Sequence, residues 1–160
     1  MKEIALSQGL VALVDDEDFE ELNKYRWYAH KPKGANVFYA IRHPKMIKGV
    51  RLGKIAMHAE VVGFKGADHI DGNGLNNQKS NLRKATVSQN GANRRKQKGT
   101  VSKFKGVDLL PKTQKWRARI MVGWKRQTLG YFDSELEAAK AYDKAAVELC
   151  GEFANLNIKG

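Results

Sequence analysis

Short apolar runs, interrupted every few positions by turn-forming residues, restrict this chain more than any other feature of its sequence. Such runs, bounded by Gly, Pro, Asn or Asp, are typical of strands in small antiparallel sheets. In the N-terminal part, strands are predicted for residues 4–6, 10–14, 27–30, 37–43 and 50–57. Short helices are predicted for residues 16–23 and 57–62. The pattern therefore favours an α+β fold that begins with a small antiparallel sheet.

Two capping boxes mark further helices. Thr86-Val87-Ser88-Gln89 predicts a helix from Thr86 to about Lys96, after a strand–loop–strand segment that starts near residue 67. Ser134-Glu135-Leu136-Glu137 predicts a second helix. Its apolar face comprises Ala138, Ala141, Tyr142, Ala145, Ala146 and Leu149. Three predicted strands, 104–109, 116–122 and 127–132, precede that helix, so the C-terminal part is expected to be a three-stranded antiparallel sheet packed on one helix.

The chain length of 160 residues permits one ordinary domain or two small ones. Residues 98–103 are polar and contain a glycine, which is typical of a linker. We therefore expect an N-terminal domain over residues 1–97 and a C-terminal domain over residues 104–160.

The positive charge is unevenly distributed. The net charge is +12, and residues 61–103 alone contribute +7 of it. Charge needed only for solubility would be spread evenly, whereas clustered Lys and Arg gain affinity for phosphates by displacing counterions. A nucleic acid is the expected partner.

The remaining composition excludes several classes of protein. Cys150 is the single cysteine, which excludes an internal disulfide framework and a cysteine-rich zinc site. No stretch of 18 apolar residues exists, so no membrane span is expected. The N-terminus lacks the apolar core of a signal peptide. These features predict an intracellular, cytoplasmic protein.

Asp68, His69 and nearby residues could form a catalytic site. A histidine can act as a general base near neutral pH. Asp68, adjacent on a strand, points to the opposite face and could bind a hard divalent cation through oxygen, and Asn90 in the first turn of the helix could supply a second oxygen. One Mg²⁺ or Mn²⁺ held this way, beside a neutral imidazole, suffices for phosphodiester hydrolysis.

The run Asp-His-Ile-Asp-Gly-Asn at 68–73, with Asn76-Asn77, Ser80-Asn81-Leu82-Arg83 and Asn90, resembles the HNH, or ββα-metal, homing endonucleases of phages and group I introns. Over residues 58–97 the resemblance implies a nuclease motif. It implies that Asp68 and Asn90 bind the metal, that His69 activates water, and that Asn81 braces the loop presenting the histidine. His58 corresponds to a family His that is usually followed by Arg. Here Ala59 replaces that Arg, although His58 remains a candidate DNA contact.

A second resemblance covers the C-terminal part. Phe104-Lys105-Gly106-Val107, Trp116-Arg117-Ala118-Arg119-Ile120, Leu129-Gly130-Tyr131-Phe132 and the Ala-rich segment 138–146 resemble the APETALA2 domain of plant ethylene-response factors. The resemblance implies a sheet that lies in the DNA major groove. Asp108, Leu110 and Thr128 depart from the plant pattern, so the plant base specificity is not carried over. The candidate DNA contacts are Lys105, Arg117, Arg119, Lys125 and Arg126.

Several polar residues admit two interpretations. Asn93, one turn after Asn90, could contact the metal or DNA. The cations Arg94, Arg95, Lys96 and Lys98 could contact DNA, or they could form a solvated helix end. Three loop residues, Asn73, Asn76 and Asn77, are interpreted as turn formers. Trp116 and the other aromatic residues are interpreted as core rather than as base-stacking surfaces.

Together these features predict a metal-dependent, phage-encoded DNA endonuclease that gives 5′-phosphate and 3′-hydroxyl ends. A single motif per chain implies one nick per protomer, by a monomer or a homodimer on double-stranded DNA. Two alternatives stay open: a DNA-binding regulator that uses the same scaffold without catalysis, and a basic RNA-binding or ribosome-associated protein.

Overall fold

The computed structural model describes residues 1–46, 50, 53–96 and 99–158, and it confirms an α+β fold. The chain divides into two compact units, Met1–Ala85 and Thr86–Gly160, which are described separately. This division lies N-terminal to the predicted linker, and the assignment of domains stays a prediction. Lys98, Gln97 and part of the predicted strand 50–57 lie outside the described residues.

The described residues of the first unit form three small antiparallel sheets and two short α-helices. Its strands are β1 (Lys2–Ala5), β2 (Val11–Val14), β3 (Tyr28–His30), β4 (Tyr39–Arg42), β5 (Ile55–Ala56), β6 (Ala67–His69) and β7 (Leu82–Lys84). β1 pairs with β2, β4 lies between β3 and β5, and β6 pairs with β7. Its helices are α1 (Asp16–Leu22) and α2 (Met57–Val62). The N-terminal sheet that the sequence predicts is divided into two sheets, because among the described residues β1 and β2 pair with each other and not with β3, β4 or β5.

The core of the first unit collects the alternate, inward-facing residues of the strands and one side of each helix. Its buried members are Ile4, Ala12, Val14, Leu22, Trp27, Ala40 and Met57. The Trp27 indole N–H donates to the Leu22 carbonyl at 2.8 Å, so its buried polar group is satisfied. Arg42 on β4 forms a bidentate ion pair with Glu60 on α2, at 3.0 and 2.7 Å. This ion pair fixes α2 against the sheet formed by β3, β4 and β5.

The second unit is a sheet packed on one helix, preceded by a short helix. Its elements are α3 (Val87–Asn93), β8 (Val107–Leu110), β9 (Lys115–Val122), β10 (Lys125–Phe132) and α4 (Glu135–Cys150), with β9 central in the sheet. Ala138, Ala139 and Ala146 of α4 are buried against the sheet, since their short side chains permit a close approach. A Cβ on Gly106 would lie 2.2 Å from the Tyr142 ring, so glycine is required there.

Most predicted elements are present, and three details of the prediction are wrong. α3 ends at Asn93 rather than Lys96. Leu149 is exposed, whereas Ala139, which the predicted face omitted, is buried. The aromatic residues are not all core, because Trp124 and Tyr131 are exposed. Within the described part of the chain, no helix is long and apolar enough to cross a membrane.

Candidate active site

Strand β6 places Asp68 and His69 side by side in the first unit, both buried. Arg83 stands directly opposite Asp68 on β7. Its Nε and a terminal nitrogen donate to the same carboxylate oxygen, Oδ2, at 3.1 and 3.0 Å. A buried carboxylate needs such a counter-charge, because burial removes its hydration. The pair therefore holds the Asp68 carboxylate in a fixed orientation.

The His69 imidazole is held in a neutral state. Burial lowers the pKa of His69 below its usual range, while Asn77 and the carboxylates of Asp71 and Asp68 oppose the shift. Nε2 lies 3.4 Å from Asn77 Oδ1. An amide oxygen only accepts, so this contact favours the tautomer with its proton on Nε2 and its lone pair on Nδ1. A neutral imidazole with a defined basic nitrogen is suited to accept a proton at neutral pH.

His58 and Tyr39 pack their rings against His69. The His58 and His69 centroids are 5.0 Å apart with perpendicular planes, and the Tyr39 ring lies 5.9–6.0 Å from both. Burial lowers the pKa of His58 to about 4, and repulsion from the His69 ring, when that ring is protonated, adds to the shift. Nδ1 of His58 is buried without a hydrogen-bond partner among the described residues. His58, a candidate DNA contact by sequence, thus forms part of the wall around His69.

The loop between β6 and β7 is organised by the Asn81 side chain. Asn81 Oδ1 accepts from the Asp71 backbone N–H at 3.0 Å, and its Nδ2 donates to Asp71 Oδ1 and to the Asn76 carbonyl at 3.0 and 2.9 Å. These bonds are the ones that a loop-bracing residue makes. Burial opposes ionisation of Asp71, but bonds from Asn73, Asn76 and Asn81 outweigh it and lower the pKa of Asp71. The same loop contains the turn bonds expected of Asn73 and Asn76.

The N-terminal hairpin supports this loop from the other side. Leu13 on β2 donates its N–H to the Leu75 carbonyl, and its carbonyl accepts from Asn77, both at 2.8 Å. The Asp15 carboxylate accepts from the Gln78 side chain at 3.0 Å and from the Lys79 N–H at 2.8 Å. At Gly74 a Cβ would lie 2.4 Å from the Phe38 carbonyl oxygen, so only glycine lets the loop pass there. The hairpin thus fixes Asn77, which contacts His69.

The helix with the predicted second ligand, α3, belongs to the second unit. Thr86 and Gln89 form the predicted capping box reciprocally. Asn90 lies in the first turn and is half-buried, with its N–H bonded to the Thr86 carbonyl. Asn93 is buried, and its carbonyl accepts from the Asn155 side chain at 2.8 Å.

A basic pocket follows α3. It has a volume of about 240 Å³, and its lining consists of Arg95, Lys96, Lys103, Phe104, Lys105, Asn155, Leu156 and Asn157. Arg94, just before it, is exposed. Lys105 donates through Nζ to the Ala92 carbonyl, and burial lowers the pKa of Lys105 to about 8, with Cys150 opposing and Arg94 reinforcing the shift. Lys105 thus faces its own unit, whereas Arg95 and Lys103 are exposed and able to meet an anion.

The remaining predicted DNA contacts lie on the sheet of the second unit. Arg117 and Arg119 on β9 both reach Asp108 on β8, at 2.7 and 2.8 Å. The Arg119 contact is an ion pair by distance rather than an aligned hydrogen bond, since Asp108 Oδ1 accepts none. Lys125 and Arg126, at the start of β10, are exposed. The sheet thus turns a cationic face away from α4.

Comparison with known proteins gives a relative along almost the whole chain. An uncharacterized HNH endonuclease of Acanthamoeba polyphaga mimivirus is 33% identical over 154 residues, which cover 94% of this chain and 76% of the relative. The chain belongs to the HNH endonuclease family. Protein 3.8 of Escherichia phage T7 is 33% identical over 87 residues, covering 54% of this family member and 71% of the phage protein.

A different similarity covers a shorter stretch of this HNH family member. APETALA2-like protein 2 of Oryza sativa is 47% identical over 60 residues, which are 36% of this chain and 14% of the plant protein. No family model matches the sequence, and no solved structure matches it.

Three residues of the site were not identified from the sequence: Asn77, Arg83 and Tyr39. Asn77 was interpreted only as a turn former, although it is fully buried and contacts His69. Arg83 was quoted within the family motif without a role, and its pairing with Asp68 depends on the register of β6 and β7. The role of Arg83 could have been predicted from one signal. An arginine follows Ser-Asn-Leu in a strand that is expected to pair with the strand containing Asp-His.

The donor set around Asp68 fits a hard cation. Within the described residues, no group of three or more His, Cys, Asp or Glu could hold a metal ion. Asp68 itself offers carboxylate oxygens, the donor type that Mg²⁺ prefers.

Proposed function

We propose that this protein is a divalent-metal-dependent endonuclease that cleaves double-stranded DNA. The observation that carries the proposal is the neutral, buried His69 imidazole adjacent to the fixed Asp68 carboxylate, in a member of the HNH endonuclease family. A general base that is neutral near pH 7 and a hard oxygen ligand on the same strand are what phosphodiester hydrolysis requires.

In the proposed mechanism, His69 accepts the proton of the attacking water on Nδ1. The Asn77 amide oxygen holds the opposite nitrogen, Nε2, and thereby orients the ring. Asn81 keeps the loop between β6 and β7 closed, so that Asn77 stays at this distance. General-base action of this kind contributes a factor of about 10²–10⁴ in rate.

Asp68 and Asn90 are the proposed ligands of one Mg²⁺ or Mn²⁺, as the family resemblance implies. When bound, the cation supplies stabilisation of negative charge on the scissile phosphate and on the leaving 3′ oxygen. Arg83 keeps the Asp68 carboxylate oriented. The products have 5′-phosphate and 3′-hydroxyl ends, and one motif per chain gives one nick per protomer.

The second unit supplies the proposed DNA contacts. Phosphate contacts come from the exposed cations after α3 and on the sheet, among them Arg94, Arg95, Lys125 and Arg126. The similarity of 60 residues of the chain to a plant APETALA2-like protein supports DNA as the partner. Phosphate contacts of this kind position the protein on DNA, whereas base contacts select the sequence.

The test is conversion of supercoiled plasmid to nicked circle by the purified protein. We expect nicking with Mg²⁺ or Mn²⁺ and none with EDTA. His69→Ala should bind DNA with unchanged affinity and nick about 10²–10⁴ times more slowly. Asp68→Ala should lose nicking at all practical metal concentrations, because its metal ligand is gone. A His69→Ala variant that nicks as fast as wild type contradicts the assigned role.

Failure to cut several unrelated plasmids, together with salt-sensitive DNA binding, would instead favour a non-catalytic DNA-binding regulator built on the same scaffold. The plasmids could also lack the cleavage site. A library of randomised duplexes as the substrate distinguishes a missing site from a lack of catalysis.

A further inference from the structure

The hairpin that joins β9 to β10 has an unusual residue at its tip. Val122 pairs with Lys125, so Gly123 and Trp124 form a two-residue turn. Both have positive φ, 54° and 67°. Turns of this kind favour Gly, Asn and Asp, because a bulky side chain is strained in the left-handed region. The local conformation therefore disfavours tryptophan at position 124.

Packing does not account for Trp124 either. Its side chain is 77% exposed, and it belongs to no core cluster of the described residues. Of the other two tryptophans, Trp27 is buried in the first unit and Trp116 packs against the sheet core of the second. A large apolar ring held in solvent at a strained position contributes nothing favourable to folding, so its role is to be sought in binding.

The surroundings of Trp124 indicate the chemistry of its partner. Lys125 and Arg126 follow it directly and are exposed, and Met121, opposite Arg126 in the sheet, is half-exposed. A flat aromatic ring beside two cations complements a ligand that combines a π face with negative charge. Nucleobases on a phosphate backbone have both properties, and aromatic rings flanked by cations bind them by stacking.

The tip is attached to the helix that carries the proposed metal ligand. The Gly123 N–H donates to the Ser88 hydroxyl at 3.1 Å. Ser88 lies in α3, two residues before Asn90. Both residues belong to the second unit, so the position of Trp124 is set relative to α3 rather than only relative to its own sheet.

We propose that Trp124 stacks on a nucleobase that is unstacked at a kink in the bound duplex, and thereby places α3 against the DNA backbone. The proposal rests on the proposed function only in taking DNA as the partner. The proposed contact at the hairpin tip is made between the Trp124 ring and the aromatic face of a base. It involves no charged group of the protein. Base stacking by an aromatic side chain is worth roughly 5- to 100-fold in affinity.

The test compares Trp124→Gly with Trp124→Phe, both in a His69→Ala background so that the DNA stays intact. Affinity for a single-stranded oligonucleotide, in which the base faces are uncovered, and for a duplex is measured by fluorescence anisotropy at several salt concentrations. Trp124→Gly should weaken binding roughly 5- to 100-fold without changing the slope of log affinity against log salt, because tryptophan neutralises no phosphate. Trp124→Phe should retain most of the affinity. Lys125→Ala is the matched control and should reduce that slope by about one.

Thermal unfolding distinguishes a binding role from a structural one. Gly-Gly suits this turn, so Trp124→Gly should unfold at the wild-type temperature or above it while binding DNA less tightly. DNA should also quench tryptophan fluorescence in the parent and much less in Trp124→Phe. Affinity within twofold of the parent in Trp124→Gly, or a loss that Phe does not rescue, overturns the proposal. A parent that binds no DNA overturns the proposed function as well, whereas a parent that binds DNA with an affinity insensitive to Trp124→Gly overturns only this inference.

Discussion

Each unit contains an aspartate that faces an arginine at the directly opposite position of an antiparallel strand pair. In the first unit Asp68 faces Arg83, and in the second Asp108 faces Arg117. The N–O distances are similar, 3.0 and 2.7 Å. The surroundings differ, because the Asp68 and Arg83 side chains are 5% and 14% exposed, whereas those of Asp108 and Arg117 are 32% and 26% exposed.

This difference in burial decides what each pair can do. In the buried pair neither charge can be hydrated, so Arg83 fixes the Asp68 carboxylate. That carboxylate is the group proposed to act in catalysis. In the half-exposed pair water still screens both charges, and the association is weak enough to be exchanged for another anion. Here Asp108 orients Arg117 and Arg119 on the sheet face, and the arginines are the groups presented for binding.

The largest expected effect comes from breaking the buried pair. Arg83→Gln should lower the free energy of unfolding by about 3–5 kcal/mol, because it leaves the Asp68 charge buried without its cation. Mg²⁺ should recover part of this loss if Asp68 is a metal ligand, since a bound cation replaces the missing charge. Thermal and urea unfolding with and without Mg²⁺ measure both effects.

Arg117→Gln is the matched control for Arg83→Gln. It breaks the half-exposed pair at the equivalent register position and should cost no more than about 1 kcal/mol. Equal losses in the two variants would show that burial is not what distinguishes the pairs.

The second prediction concerns acid. All four histidines of the chain lie in the first unit. The pKa of His58 is about 4 in the folded protein against 6.5 as its ordinary value, so between these pH values the unfolded state binds the extra proton. Stability is therefore full above pH 6.5 and falls as the pH drops to 4, by up to about 3 kcal/mol for His58.

His58→Phe keeps an aromatic ring against His69 and Tyr39 but cannot take up a proton. It should flatten the loss of stability between pH 6.5 and 4, measured by urea unfolding across this range. His43→Phe, which changes an exposed histidine, should leave the pH dependence as it is. An unchanged pH profile in His58→Phe would show that the buried imidazole pair does not govern acid stability.

The features predicted correctly from the sequence are those that local residues determine. The start of α3 at the Thr86 capping box is confirmed, because the side chains of Thr86 and Gln89 bond to each other's backbone N–H, a contact between residues three positions apart. The end of α3 was placed three residues too late. Arg94-Arg95-Lys96 has helical propensity, but Arg94 is extended at ψ 136° and the Asn93 carbonyl is taken by Asn155, 62 residues further along. No local pattern contains that bond.

The candidate site shows the same limit. The presence of Asp68 and His69 in one strand followed from residue type and spacing, whereas their supports followed from strand register. Arg83 acts on Asp68 because β6 and β7 pair at those positions. Asn77 reaches His69 because Leu13, on a strand 64 residues before Asn77, binds the loop. The assignment of roles to Asp68, His69, Asn81 and Asn90 stays a prediction.

The smallest expected effect tests the half-exposed pair. Asp108→Asn removes the charge that Arg117 and Arg119 share, so both guanidinium groups become available to phosphates. DNA affinity should rise several-fold at low salt, and the slope of log affinity against log salt should steepen by about one to two. The nicking rate at saturating DNA should not change, because Asp108 is outside the proposed catalytic machinery.

Asp133→Asn is the control, because it removes the same charge from an exposed position where Asp133 pairs with Lys115. It should have a smaller effect on the slope. Equal slopes in the two variants would mean that net charge, rather than the arginines held by Asp108, determines DNA binding by the sheet.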